Sequence, residues 1–191
     1  MAIAQAHICE VDAMMYLHWA ILAPLSLLMA IVGRLLCPIL PFFVEEDGYL
    51  PDWLCWFQTP DNPCDGDEGH WERHPGTDAW STYKRRVAWF WRNVAYGFDI
   101  EILGAKCKAG DLLEESGDLE TDTKPAHSGW VYRVLKRDGK AIYWQFYFVY
   151  QYPFWKSRCI RGNLGWKLWD YEGETVTVQW SGMINPLFGA E

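Results

Sequence analysis

The chain has 191 residues, half of them apolar and 22% charged, with a formal net charge of −8. That balance excludes a disordered chain and argues against a protein that coats nucleic acid, whose phosphates call for a basic surface. Thirteen Trp, ten Tyr and nine Phe belong in thick β-cores, stacking surfaces or membrane interfaces.

Residues 1–13 read as a short polar tail. Met14–Val32 follows, nineteen residues without a formal charge in which only His18 and Ser26 are polar. About 20 apolar residues cross the hydrocarbon core of a bilayer, and Pro24 is tolerated in such a helix. Arg34 closes the run, and its stem lets the charge snorkel to a headgroup. Residues 14–34 are therefore predicted to be a transmembrane helix. The alternatives are a buried core helix and a cleaved signal peptide; the latter wants a basic leading region, and residues 1–13 hold no Lys or Arg. Arg34 is the only base near the span, which orients the globular part toward the cytoplasm.

Residues 35–77 read as a Pro-rich, acidic linker with interfacial character. Leu35–Val44 is apolar, but Pro38 and Pro41 and its shortness keep it from spanning. Trp53, Trp56 and Phe57 form an aromatic run suited to a membrane surface. Residues 61–72 partly match the calcium-loop pattern D-x-[DN]-x-[DN]-G-x5-E: Asp61, Asp65, Gly66 and Glu72 fit, whereas Pro63 offers no side-chain oxygen. Asp61, Asp65, Asp67 and Glu72 are thus the candidate ligands for Ca²⁺ or Mg²⁺. The missing oxygen at Pro63 and the proline-rich surroundings favour a different neutralisation, by Arg73 or by the bases at Lys84, Arg85, Arg86 and Arg92. His70 and His74 stand at zinc spacing for a helix, but Pro75 disfavours the α conformation at His74.

Residues 78–96 are predicted to be a helix capped by Asp78 and ended at Gly97. Trp80, Tyr83, Val87, Phe90, Trp91 and Val94 would form its apolar stripe. Arg85, Arg86, Trp89 and Arg92 beside it would suit anionic lipid; covering a sheet is the alternative role. Residues 110–127 carry six acids and read as a solvated loop. Asp138-Gly139 between Trp130–Arg137 and Lys140–Tyr152 is a strong type I′ hairpin signal. A two-residue loop pairs Arg137 with Lys140, Leu135 with Ile142, Arg133 with Trp144 and Val131 with Phe146, making Arg133 and Trp144 a cation–π pair. Further strands are expected at 157–161, at 165–169 after a Gly162-Asn163 turn, and at 175–180. The expected fold class is α+β: an N-terminal transmembrane helix, then an aromatic antiparallel meander of four or five strands with one amphipathic helix, spanning 78–191.

No hydrolase elbow, P-loop or dinucleotide fingerprint is present, so no catalytic or cofactor-binding residue is assigned and a non-enzymatic protein is expected. Cys55 and Cys64 would bridge in an oxidising space and stay reduced in the cytoplasm.

Several strings together resemble an uncharacterised family of membrane-associated proteins of tailed bacteriophages. They are Cys37-Pro38-Ile39-Leu40-Pro41, Trp56-Phe57-Gln58-Thr59-Pro60-Asp61-Asn62-Pro63 with Asp65-Gly66-Asp67, Arg86-Val87-Ala88-Trp89 with Trp91-Arg92-Asn93 and Ala95-Tyr96-Gly97-Phe98, and Leu164-Gly165-Trp166-Lys167. The resemblance covers most of residues 14–188. It implies a phage protein at the host inner membrane, with the bilayer and a host or phage membrane protein as partners and no nucleic acid. It supplies no activity. A metal-dependent enzyme using residues 61–74 and a minor virion component meeting the membrane during genome entry are the other readings.

Overall fold

The structure, a computed structural model, describes residues 13–190; the expected tail lies outside them apart from Ala13. In chain order the elements are helix α1 (Ala13–Leu36), 3-10 turns at Leu40–Phe43 and Asp52–Phe57, helices α2 (Glu68–Arg73), α3 (Ala79–Arg92) and α4 (Tyr96–Glu101), and strands β1 (Ala105–Cys107), β2 (Leu112–Gly117), β3 (Asp122–Thr123), β4 (Ala126–His127), β5 (Gly129–Arg137), β6 (Lys140–Tyr152) and β7 (Trp155–Trp166). A 3-10 turn at Leu168–Asp170 precedes β8 (Val176–Val178) and β9 (Trp180–Gly189). The fold is α+β: an apolar N-terminal helix, a five-stranded antiparallel sheet in the order β2-β5-β6-β7-β9, two short strand pairs and further helices.

The chain divides into two compact units. Among the described residues, one takes 13–21 and 106–190; the other is Leu22–Ala105. The expected boundary at residue 78 is replaced by this division. Residues 35–77 are no linker, because Cys37, Leu40, Leu50, Leu54, Phe57 and Cys64 form one buried cluster with Phe90. The prolines break long elements here but do not stop short turns from burying one apolar side each.

In the second unit, Asp78 caps α3 through Oδ1, which accepts from the backbone N–H of Trp80 and Ser81. The helix ends at Arg92, with Asn93 as C-cap, earlier than the glycine suggests. The chain turns through Ala95 at φ 53° into α4. Gly97 lies inside α4, where a Cβ would overlap the carbonyl oxygen of Cys55; its glycine serves close packing, not capping. The predicted stripe is rotated as well. Arg85, Trp89 and Phe90 are the buried residues of α3, while Trp80 and Trp91 are exposed.

In the first unit the hairpin forms as expected at its tip. Asp138 and Gly139 both have positive φ, 51° and 76°, and Arg137 pairs with Lys140. Past the tip a bulge intervenes: Lys136 pairs with Ala141 but Leu135 with Tyr143. Ile142 is the extra residue, and beyond it the register differs by one from that predicted. A slip of one residue moves every side chain to the other face. Arg133 therefore sits opposite Gln145 and Val131 opposite Tyr147, and the expected Arg133–Trp144 pair is not formed. Gly162-Asn163 is no turn either, since β7 runs through it paired to Phe148 and Tyr147. The acidic loop is largely structured: β2 pairs with β5 from Leu112↔Lys136 to Gly117↔Val131, and β3 with β4. Glu114–Lys136 and Glu115–Arg133 ion pairs cross that edge, so the charges that suggested solvation are cross-strand partners.

Candidate functional site

Helix α1 carries one charge, Arg34 in its last turn, and its only other polar residues are His18 and Ser26. Met15, Trp19, Leu22, Ser26, Met29, Gly33 and Leu36 are buried or half-buried, at alternating spacings of three and four. Met14, Leu17, Ile21, Leu25, Leu28, Ile31 and Leu35 form the opposite stripe and are exposed, Leu35 to 72%. In the first unit, Trp19 packs on Trp144 at 5.4 Å, stacks with Trp180 at 5.7 Å, and donates from Nε1 to the Ser181 carbonyl at 3.0 Å. Tyr16 and Tyr132 share a hydroxyl hydrogen bond of 2.7 Å. In the second unit, Met29, Val32 and Leu36 pack against the Cys37–Leu40–Leu50 cluster. A helix with one apolar stripe packed and the other bare is unlike a surface helix, whose outer side is polar. At 1.5 Å per residue its 24 residues reach about 36 Å, long enough to cross a bilayer. Of its most apolar 18-residue window only 6% is buried, unlike the core helix of a soluble domain. A signal sequence would share its length and position.

The second unit also exposes a ring-rich surface. Phe43 meets Trp53 edge-on at 5.7 Å, Phe42 meets Tyr83, and Tyr83 stacks on Trp80. Lys84 lies 5.7 Å from the Trp80 ring, and Arg34 5.7 Å from that of Trp91. Exposed Trp beside Lys or Arg is the pairing found at membrane–water interfaces. Trp53 belongs to this surface, being 69% exposed; Trp56 is partly exposed and packs on Phe98. Phe57, Arg85 and Trp89, expected on the same surface, are buried and are corrected to interior positions. The sequence reading missed Phe42, Trp80 and Trp91. The signal for the last two was present, because Trp80, Lys84 and Trp91 share one side of α3 at spacings of four and seven.

Arg85 is the centre of a polar network. It is 2% exposed, and its guanidinium lies 3.4 Å from the Trp71 ring centre. It donates to the Gly76 carbonyl at 2.8 Å and to Asp65 Oδ1 at 3.0 Å. Arg86 grips the same carboxylate with both ends of its fork, at 3.1 and 2.9 Å. Burial works to raise the pKa of Asp65, but the two guanidiniums together outweigh it and hold the carboxyl below its usual range. Asp67 caps α2, accepting from the backbone N–H of His70, and pairs with Arg92 at 3.3 Å. The structure brings Asp65 to Arg85 and Arg86 and Asp67 to Arg92, while Asp61 and Glu72 are exposed. His70 is buried with Nε2 on the Arg85 carbonyl at 3.0 Å; burial lowers its pKa. Cys55 and Cys64 are unbridged thiols, and burial pushes Cys64 up to about 12.

Among the described residues, one group of three side chains is close enough to share a metal: Asp118, Glu120 and His127, with ligand atoms within 4.8 Å. His127 Nε2 and Asp118 Oδ2 already pair at 2.8 Å, both well exposed. The sheet face carrying Arg133, Tyr147 and Arg161 lines a pocket of about 270 Å³, which no sequence motif announced.

The chain thus has a mixed α+β architecture and, among the described residues, one helix, α1, long and apolar enough to cross a membrane. The chain belongs to the family described as "Family of unknown function (DUF7338)", which matches residues 11–190. No curated protein and no solved structure matches it.

Proposed function

We propose that this is a single-pass membrane protein with a non-enzymatic interaction role, of the phage class its sequence resembles, acting at the host inner membrane. The observation carrying this reading is the outward stripe of α1, from Leu17 to Leu35, which is wholly apolar and left bare by the fold. Water around it would leave an apolar strip along the full helix, a feature monomeric soluble proteins avoid. The exposed Trp53, Trp80 and Trp91, with Lys84 and Arg34 beside them, suit the headgroup layer.

A second reading is favoured by the opposite stripe. Within the first unit Trp19 is packed against Trp144 and Trp180, which suits a helix lying in the interface plane with only its bare stripe in lipid. Labelling from one side of sealed inner-membrane vesicles separates the two. A cysteine introduced as Glu172→Cys, in an exposed turn, and an N-terminal epitope tag are read together. Opposite sidedness supports the single pass, and shared sidedness replaces it with the in-plane helix. Recovery of the protein in the soluble fraction would overturn both.

A further inference from the structure

The five-stranded sheet turns an unusually polar face toward the turn that contains β3 and β4. Alternation places Arg133 on β5, Gln145 and Tyr147 on β6, and Arg161 and Asn163 on β7 on one side. Covered sheet faces are ordinarily apolar, so each polar group there needs a partner. Most have one. Gln145 Nε2 donates to Asn163 Oδ1 at 2.9 Å, and Arg133 donates to Glu115 and to Gln145 Oε1. This chain of contacts holds the Arg133 guanidinium in place.

Two groups lining the pocket are left over. The Arg161 guanidinium lies 5.6 Å from the Tyr147 ring centre and 4.7 Å from that of Phe188. Its Nε is buried with no hydrogen-bond partner among the described residues, and so is the hydroxyl of Thr121, a residue only 8% exposed. A buried guanidinium N–H and a buried hydroxyl without acceptors each cost free energy that a ligand's oxygens would recover. The pocket's acid, Asp122, is turned to its own strand, where Oδ1 accepts from the Thr123 backbone N–H and hydroxyl. Arg133 is already paired with Glu115, so Arg161 is the pocket cation that has no carboxylate ion pair among the described residues.

We infer that this pocket binds a small phosphoryl oxyanion, held by Arg161, Arg133 and the Thr121 hydroxyl. A planar carboxylate is satisfied by one guanidinium fork. Donors arriving from three separate elements suit a tetrahedral group with three or more acceptor oxygens. The volume of about 270 Å³ admits a phosphate with a short organic substituent, and Tyr147 and Trp169, ring centres 5.5 Å apart, offer that substituent an aromatic wall. A soluble phosphate ester and a phospholipid headgroup share this chemistry.

Titration calorimetry on the full chain in neutral detergent tests it, with inorganic phosphate and glycerol phosphate in one arm and phosphatidylglycerol against phosphatidylcholine, each as mixed micelles in the same detergent, in the other. Saturable binding in either arm is expected, weakened about tenfold or more by Arg161→Gln and more modestly by Thr121→Val, and unchanged by Arg92→Gln in the other unit. Binding in the first arm assigns a soluble ester; binding confined to the phosphatidylglycerol arm assigns the headgroup. Should Arg161→Gln fail to fold, the near-isosteric Thr121→Val carries the comparison alone. No binding in either arm, or binding indifferent to both pocket variants, overturns the inference.

Discussion

Arg85 shows how far the role of one residue can lie from its sequence neighbourhood. In the string Lys84-Arg85-Arg86 all three look solvated, yet only Lys84 is exposed. Arg85 is enclosed by Trp71, Asp65 and the carbonyls of His74 and Gly76. Arg85→Met leaves Asp65 still held by Arg86 but takes the donor from the Gly76 and His74 carbonyls, so it is expected to destabilise the second unit by about 1–3 kcal/mol, measured by denaturant unfolding in detergent. Arg86 and Asp65 should couple by about 1 kcal/mol in a double-mutant cycle. Arg92 and Asp65 should not couple, because Arg92 pairs with Asp67. His70 gives the pH dependence its sign. Its folded pKa lies below its ordinary 6.5, so the unfolded chain takes up the proton first. Stability is complete above pH 6.5 and falls as the pH drops toward the folded pKa. A melting series from pH 8 to about pH 5 should show that loss, and His70→Gln should flatten it; an unchanged slope in the variant would assign the loss to other groups.

At the scale of elements, the hairpin was legible from Asp138-Gly139 because turn chemistry is local, and both positive φ angles are present. The bulge at Ile142 was not legible, because nothing in the alternation of two-sided aromatic strands penalises a shift of one residue. Strand β2 was hidden for a different reason: its Glu114 and Glu115 look like loop charges until Lys136 and Arg133 stand opposite. The two glycines of this region separate the structural account from a purely local one. Local reasoning makes Gly139→Val far worse than Gly117→Val. In the structure a Cβ on Gly139 meets nothing within 4 Å, whereas on Gly117, at φ 99°, it would overlap the Trp130 carbonyl oxygen. Both substitutions strain a positive φ, at roughly 1–2 kcal/mol, but Gly117 adds a backbone clash across the β2–β5 ladder. Gly117→Val should therefore lower the melting temperature more than Gly139→Val, and the reverse order would contradict the observed register.

For the whole molecule, the apolar run at residues 14–32 was readable from composition alone, since its nineteen residues carry no charge and only His18 and Ser26 among them are polar. What composition could not tell was that one stripe of that helix is packed, Trp19 against Trp144 and Trp180 and Leu36 against the Leu40 cluster, because both stripes are equally apolar. The same limit applied to residues 35–77, where prolines and acids concealed a buried cluster, and to Arg133 and Arg161, whose convergence depends on a register shifted by the bulge. The claim on which the account turns is that the bare stripe of α1 lies in lipid. Leu27 and Leu28 are both more than half exposed, so replacing them with Lys disturbs the lipid-facing surface and leaves the packed stripe intact. Each Lys costs about 3 kcal/mol at the centre of an inserted helix. Alkaline carbonate extraction of membranes from expressing cells is the direct measurement. The account predicts that the native chain stays with the membrane pellet and that the double variant moves substantially to the supernatant. A native chain found in the supernatant, or a double variant that stays in the pellet as completely as the native chain, would contradict it.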